Sequence, residues 1–305
     1  LGSNSFGYWT EAILENNDSQ LLIKHIIKRR LPTLIQGHDS DIPIEAYFLQ
    51  EVSHKNLVRY VDVVEIENLF FLITKIDHND WQTLHSYLIR NGPLSENQAK
   101  NIFKQTIECI SSIYKHGFFN IRLNDKNILI SESLQVRLFD FERLTLYEES
   151  NENLVYNIQY ASPEMIVDHK YDPELSDLWS LGILLYVMLH AHIPFESPFD
   201  TLVETPVIQK ITSKECATIL CRLLAKKPHF RGTFKDLLNY PWIGIENFLK
   251  RRILKNNIKG NSDESIATEG PNTNDKIIQE IDYLIKRSSI NEHLPLHWTL
   301  WAIFK

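Results

Sequence analysis

The sequence predicts an α+β fold in two parts, strand-rich over residues 1–76 and helical over residues 77–250. Three observations carry this. Short apolar runs bounded by polar turn residues recur before residue 76, as strands require. From Trp81 onward the apolar spacing changes to the 3.6-residue period of helices. Between the two lies a polar stretch, residues 75–80, suited to a hinge. Residues 251–274 then read as a linker, and residues 275–305 as an amphipathic, aromatic extension.

Taken in order, Gly2-Ser3-Asn4-Ser5-Phe6-Gly7 is a small polar turn, and Leu21-Leu22-Ile23-Lys24 is an apolar strand carrying one lysine. Ile42-Pro43-Ile44 leads into a helix over residues 45–51, with Pro43 at a first-turn position. Strands over residues 57–64 and 69–76 flank a turn at Glu65-Ile66-Glu67-Asn68. Leu84, Tyr87 and Leu88 mark the next helix. Ile102, Phe103, Ile107, Ile110 and Ile113 mark one face of a longer one, whose start carries the capping pair Ser95 and Gln98. A polar turn, residues 120–127, connects that helix to short strands at 127–130 and 136–139. Residues 144–157 are rich in Glu and Asn, and helices dominate from 173 to 243. The most apolar run, residues 178–189, is too short to span a bilayer, which takes about 20 residues, and reads as a buried core helix. Residues 256–274 have too few apolar groups to pack and read as flexible. Beyond them Ile277, Ile278, Ile281, Leu284 and Ile285 line one helical face, followed by Trp298, Trp301 and Phe304. That apolar density calls for a surface to dock on, in this chain or in a partner.

Composition narrows the function. A net charge of -7 over 305 residues argues against a general nucleic-acid or anionic-membrane binder, because both partners need a basic face. Cys109, Cys216 and Cys221 are odd in number and lack zinc spacing, so they read as buried thiols in a reducing compartment. Leu1-Gly2-Ser3 has neither the charged nor the apolar region of a signal peptide. The start resembles a cut through a strand, with further sequence expected upstream. The location expected is cytoplasmic. Lys250-Arg251-Arg252 with Lys255 reads as a solvated helix face, a nuclear signal being the alternative.

The ordered landmarks across residues 1–250 resemble a eukaryotic protein kinase. They are the degenerate Gly-rich loop at residues 2–7, Lys24 on its strand, Glu45 on its helix, Asp140-Phe141-Glu142 for Asp-Phe-Gly, Ser162-Pro163-Glu164 for Ala-Pro-Glu, and Asp177-Leu178-Trp179-Ser180-Leu181-Gly182. Arg231 matches the arginine that pairs with Glu164 in that family. The ending Tyr240-Pro241-Trp242-Ile243 is most similar to the calmodulin-dependent, AMP-activated and PAS-type kinases. The resemblance implies a two-lobed kinase fold with a β-rich N-lobe and a helical C-lobe. It also implies nucleotide contacts at Gly2, Gly7, Lys24, Glu45, Lys75, Asp77 and Asp140, with Asn127 and Asp140 as magnesium ligands. For Lys24 with Glu45 a purely structural ion pair is the competing reading, and for Asn127 and Asp140 hydrogen bonding to loop backbone. Asp177 is expected to hold the catalytic-loop backbone. Thr74 falls at the gatekeeper position.

The same alignment places Asn120, Ile121 and Arg122 at the His-Arg-Asp positions, and Asn124 at the catalytic lysine. A guanidinium has no acceptor atom and stays charged, so Arg122 cannot take the proton of a substrate hydroxyl. Asp125 is the one nearby carboxylate, expected to face solvent. Tyr156-Asn157 replaces Gly-Thr in the activation segment, and Ile121 removes the arginine that would receive a phosphorylated loop. Asn4 takes the middle loop glycine, and Trp9 takes the small valine over the base, where an indole fills the adenine slot. The function expected is therefore a pseudokinase, a scaffold or allosteric regulator of protein partners such as an active kinase or another signalling protein, with ATP and Mg bound weakly or not at all. The alternative is a residual or unconventional ATP-dependent Ser/Thr kinase or other phosphotransferase. A third reading places the function in residues 275–305.

Overall fold

The computed structural model describes residues 6–13, 20–32, 34–37, 40–76, 80–141, 143–146, 157–167, 171–208 and 212–244. In chain order the elements are β1 (Gly7–Ile13), β2 (Gln20–Ile27), β3 (Ile35–Gln36), β4 (Asp41–Ile42), α1 (Ile44–Glu51), β5 (Arg59–Ile66) and β6 (Leu69–Ile76). Then follow β7 (Gln82–Thr83), α2 (Leu84–Asn91), α3 (Glu96–Lys115), β8 (Phe118–Phe119), β9 (Ile128–Ile130), β10 (Val136–Leu138) and β11 (Thr145–Leu146). The chain continues through α4 (Pro163–Val167), α5 (Pro173–His190), α6 (Pro198–Val203), α7 (Lys214–Leu223) and α8 (Phe234–Leu238). The α+β class and the change from strands to helices stand as expected. No helix among the described residues is long and apolar enough to cross a membrane.

The contacts divide the chain into two compact units. The first contains β1, β2, β5 and β6, an antiparallel sheet of order β1-β2-β6-β5. Its register sets Lys24 opposite Trp9 on one side and Leu72 on the other, so Trp9, Leu22, Lys24, Leu72 and Thr74 share one face. The opposite face carries Leu21, Ile23, Phe71 and Ile73. A bulge between Tyr60 and Asp62 lets the extra residue, Val61, join that second cluster. Strand β5 runs to Ile66, two residues past its expected end, which shortens the turn to Glu67-Asn68 with Glu67 at φ 48°.

The second unit contains α1 and everything described from Asp80 to Gly244. Helix α1 belongs to this unit through its packing. Phe48 of α1 sits edge-on to Phe118 and Phe141, with centroids 5.0 and 4.8 Å apart. Pro43 is the N-cap of α1, one position earlier than expected, and its carbonyl accepts the Tyr47 N–H. Helix α3 begins with the predicted capping box, Ser95 and Gln98 each bonding the other's backbone N–H. Its stripe of Ile102, Phe103, Ile107, Ile110 and Ile113 is fully buried. Helix α5 is the buried core helix read from its composition. Gly182 is needed there because a Cβ would lie 2.8 Å from Leu224 and 2.9 Å from Leu223. Of the cysteines, Cys109 and Cys216 are buried as expected, whereas Cys221 is exposed, being on the outer side of α7. The linker, the extension and most of residues 144–157 lie outside the described residues.

Candidate functional site

The loop Asn120 to Asn127 is anchored from below by one carboxylate. Asp177, buried in the first turns of α5, accepts hydrogen bonds from the Ile121 N–H at 3.0 Å, the Arg122 N–H at 3.1 Å and the Tyr114 hydroxyl at 2.9 Å. These bonds hold a strained backbone. Asn120 (φ 65°) and Arg122 (φ 52°) are both left-handed, which costs a non-glycine residue about 1–3 kcal/mol. Burial raises the Asp177 pKa, partly offset by these donors. Asp177 thus holds the loop backbone at Ile121 and Arg122.

The side chain at its centre is built into the protein. The Arg122 guanidinium donates from Nε to Asn120 Oδ1 at 3.2 Å, and from its NH2 group to the Tyr171 hydroxyl at 2.8 Å. Tyr171 donates in turn to the same Asn120 Oδ1 at 3.1 Å, closing a three-residue network. Asn120, 2% exposed, leaves its Nδ2 without a hydrogen-bond partner. An imidazole could fill that position with less unmet polarity, so the asparagine carries a cost of order 1–3 kcal/mol.

Asp125 departs from the sequence expectation that it faces solvent. It is 8% exposed, with Oδ2 2.7 Å from His85 Nδ1 and Oδ1 accepting the Tyr160 hydroxyl at 3.1 Å. Burial and the neighbouring Asp125 push the Tyr160 pKa well up. Asp125 is therefore a bracket between the start of α2 and the segment before α4. No spacing in the sequence pairs residues 85, 125 and 160, so this bracket was invisible there, as was Tyr171.

The candidate metal ligands are brought together by the β9–β10 ladder, where Ile128 pairs with Leu138 and the Phe139 N–H donates to the Asn127 carbonyl at 3.2 Å. Asn127 and Asp140 thereby end up at one end of the hairpin. The Asn127 side chain is already engaged, accepting the Asn124 N–H at 2.8 Å and donating to the Arg122 carbonyl at 3.4 Å. Asn124 likewise donates to the Arg122 carbonyl and accepts the Lys126 N–H. Both asparagines serve loop backbone. Asp140 is half-buried at φ 66°. After it, the Phe141 N–H donates to the Glu45 carboxylate at 2.8 Å, tying α1 to this segment. Glu142 lies outside the described residues.

In the first unit, Lys24 is fully buried, its ammonium 5.4 Å from the centroid of the Trp9 indole. Trp9 is 8% exposed and lies on the face shared with Lys24, Leu22 and Thr74, as its register predicts. Thr74 spends its hydroxyl on the Leu22 carbonyl at 3.1 Å. Gly7 sits within β1, where a Cβ would lie 1.8 Å from the His25 carbonyl oxygen, so the close pairing of strands explains this glycine without a phosphate. Lys75 is half-buried in β6, opposite Leu21, on the sheet face away from Lys24. Gly2, Asn4, Asp77 and Tyr156 lie outside the described residues. For a nucleotide and its metal the fit is partial within each unit: Asn127 and Asp140 offer oxygen donors of the kind magnesium takes, though the Asn127 side chain is already engaged, and in the first unit an indole occupies the apolar surface beside Lys24.

The framework pair is present. Arg231, with its side chain wholly buried, makes a two-pronged bond to Glu164 at 2.6 and 2.8 Å and donates to the Leu175 and Ala225 carbonyls. Trp242 Nε1 donates to Glu96 at 2.8 Å, and Glu96 also accepts the Ser213 N–H and hydroxyl, so the Pro-Trp-Ile ending locks α3 to the start of α7.

Comparison with known proteins agrees with this framework. The chain is 28% identical over 255 residues to the serine/threonine-protein kinase pim-2 of Danio rerio, covering 80% of this chain and 82% of that one. It is 27% identical to the PAS domain-containing serine/threonine-protein kinase of Mus musculus and 26% identical to the serine/threonine-protein kinase SIK1 of the same species, in each case over 80% of this chain. It spans only 18% and 32% of those two longer relatives. The protein kinase domain family matches residues 1–243, and the chain belongs to that family.

Proposed function

We propose that this kinase domain is catalytically impaired, a pseudokinase that acts by binding protein partners, such as an active kinase or another signalling protein, as a scaffold or allosteric regulator. The observation that carries the reading is Arg122. It stands where family members place the proton-accepting carboxylate, and its guanidinium is bonded to Asn120 and Tyr171. A guanidinium accepts no proton from a hydroxyl. Asn124 replaces the neighbouring lysine and bonds loop backbone instead. Loss of the base, its lysine partner, the activation-segment Gly-Thr pair and the loop arginine together argues for absent chemistry more strongly than any one of them.

Nucleotide binding is weak in this reading. Magnesium held by Asn127 and Asp140 would neutralise phosphate charge, with Lys24 and Glu45 as the accompanying pair. Trp9 competes for the base.

A second reading, a slow ATP-dependent Ser/Thr kinase, draws on the retained Lys24, Glu45, Asn127 and Asp140 and on relatives named as serine/threonine-protein kinases. Loss of a general base alone costs about 10²–10⁴-fold, which leaves room for slow turnover. Thermal shift with millimolar ATP and magnesium separates the two. No shift removes the enzyme reading. A shift abolished by Lys24→Met establishes binding, and radiolabelled ATP then decides transfer: robust labelling lost in Asp140→Asn would overturn the pseudokinase reading.

A further inference from the structure

One side of the helical unit presents large apolar side chains to solvent. In α6, Thr201 is turned inward at 4% exposure, which puts Phe199 and Val203, one turn apart, on the outer side, where they stand 68% and 58% exposed. Phe230, in the 3₁₀ turn Pro228–Arg231, is 61% exposed and packs against the ring of His229. A single exposed apolar residue is ordinary. Three on adjoining elements, two of them aromatic, make the kind of surface that protein interfaces use.

The elements adjoin through Lys226, just ahead of the turn. Its ammonium donates to the Thr201 carbonyl at 2.6 Å and lies 3.8 Å from the centroid of Phe195. Phe195 stacks on Trp179 of α5 at 5.7 Å, and the Arg231 guanidinium lies 5.0 Å from the same indole. Helix α6 and the turn are thus fastened to each other and to α5.

Their charges are opposite. Residues 191–208 contain Glu196, Asp200 and Glu204 and no Lys or Arg, whereas residues 216–235 contain Arg222, Lys226, Lys227, Arg231 and Lys235 and no Asp or Glu. Part of this charge is engaged locally: Asp200 caps α6, Arg231 holds Glu164, and Lys226 lies on Thr201. Glu196 and Glu204 remain exposed around Phe199 and Val203, and Lys227 remains exposed near Phe230.

A face that is apolar throughout, acidic along one edge and basic along the other is complementary to itself after a half-turn. A two-fold axis sets α6 of one copy against the turn of the other, and repeats the match at the second edge. A partner surface of one sign would leave one of the two edges against like charge. We propose that this face is the interface of a homodimer of this chain, with Phe199 and Val203 of one copy packed on Phe230 of the other and Glu204 facing Lys227. The inference goes beyond the pseudokinase reading and is independent of whether the domain transfers phosphate.

The test is sedimentation velocity on the full chain across about 1–100 μM, where micromolar association shows. The wild type should pass from one chain to two and stop there, because a two-fold interface closes. Phe199→Ser should weaken the dimer by at least about tenfold. Glu204→Lys and Lys227→Glu should each stay monomeric alone, since each sets like charges together at both edges. Mixed one to one, these two variants match again at both edges and should dimerise with each other, a recovery that also shows both to be folded. A wild type that stays a single chain throughout, a mass that grows past two, a dimer indifferent to Phe199→Ser, or a mixture that fails to recover would overturn the proposal.

Discussion

Lowering the pH from about 7.5 to 5.0 should destabilise the strand-rich unit through one residue, His25. In the folded chain its pKa is depressed to about 4 by burial, against about 6.5 for an exposed imidazole. Between those values the unfolded chain binds more protons than the folded one, so stability rises with pH across the window. The contribution is fully present above about pH 6.5 and is lost as pH falls toward 4. A tenfold difference in proton affinity is worth about 1.4 kcal/mol, so the gap between the folded and unfolded imidazole gives about 3 kcal/mol in all and about 2 kcal/mol by pH 5. The assay is equilibrium urea unfolding at both pH values for the wild type and His25→Leu. Leucine keeps the apolar contact that His25 makes edge-on with Phe71 and removes the titration, whereas the other histidines are unchanged in both proteins. The wild type should lose about 2 kcal/mol more than the variant between the two pH values. Parallel losses would refute the burial of a neutral imidazole at this position.

Other perturbations follow from single contacts. Trp9→Val removes the indole beside Lys24 and should tighten binding of a fluorescent ATP analogue about tenfold, worth about 1.4 kcal/mol; unchanged affinity would show that the indole does not compete with the base. Arg231→Ala leaves the half-buried Glu164 carboxylate without its partner and should cost about 3 kcal/mol in urea unfolding, a loss below about 1 kcal/mol counting against the pair. Asp177→Asn puts an amide donor against loop N–H groups whose strained backbone it should hold, and a drop of about 2–4 kcal/mol is expected. Hydrogen exchange at Ile121 and Arg122 should accelerate in that variant, and unchanged exchange would show that the carboxylate does not anchor the loop.

The parts legible in the sequence were those written in local pattern. The capping box at Ser95, the stripe on α3 and the apolar run of α5 each follow from spacing alone, and the structure reproduces them. Lys24 and Trp9 on one face follow from alternation once their strands are found. Residues that meet through the fold were not legible. Tyr171 reaches Arg122 across 49 positions, and Asp125 gathers His85 and Tyr160 from 40 and 35 positions away, turning an expected surface carboxylate into a buried bracket. Glu65 and Ile66 look as much like turn as strand in the sequence, and cross-strand pairing with Phe70 and Leu69 decides for strand. The contacts of helix α1 are equally long-range, Phe48 meeting Phe118 and Phe141 and Glu45 accepting the Phe141 N–H.

Whether this domain is a pseudokinase turns on phosphate transfer at Arg122, and the rate of that transfer decides it. Purified wild type and Arg122→Asp are assayed side by side with radiolabelled ATP, magnesium and a broad peptide mixture. No labelling above the no-enzyme blank is expected from the wild type. Little recovery is expected in Arg122→Asp, because the lysine position is still Asn124 and the activation segment still reads Tyr156-Asn157. Robust labelling by the wild type, or full activity from that one substitution, would contradict the pseudokinase reading.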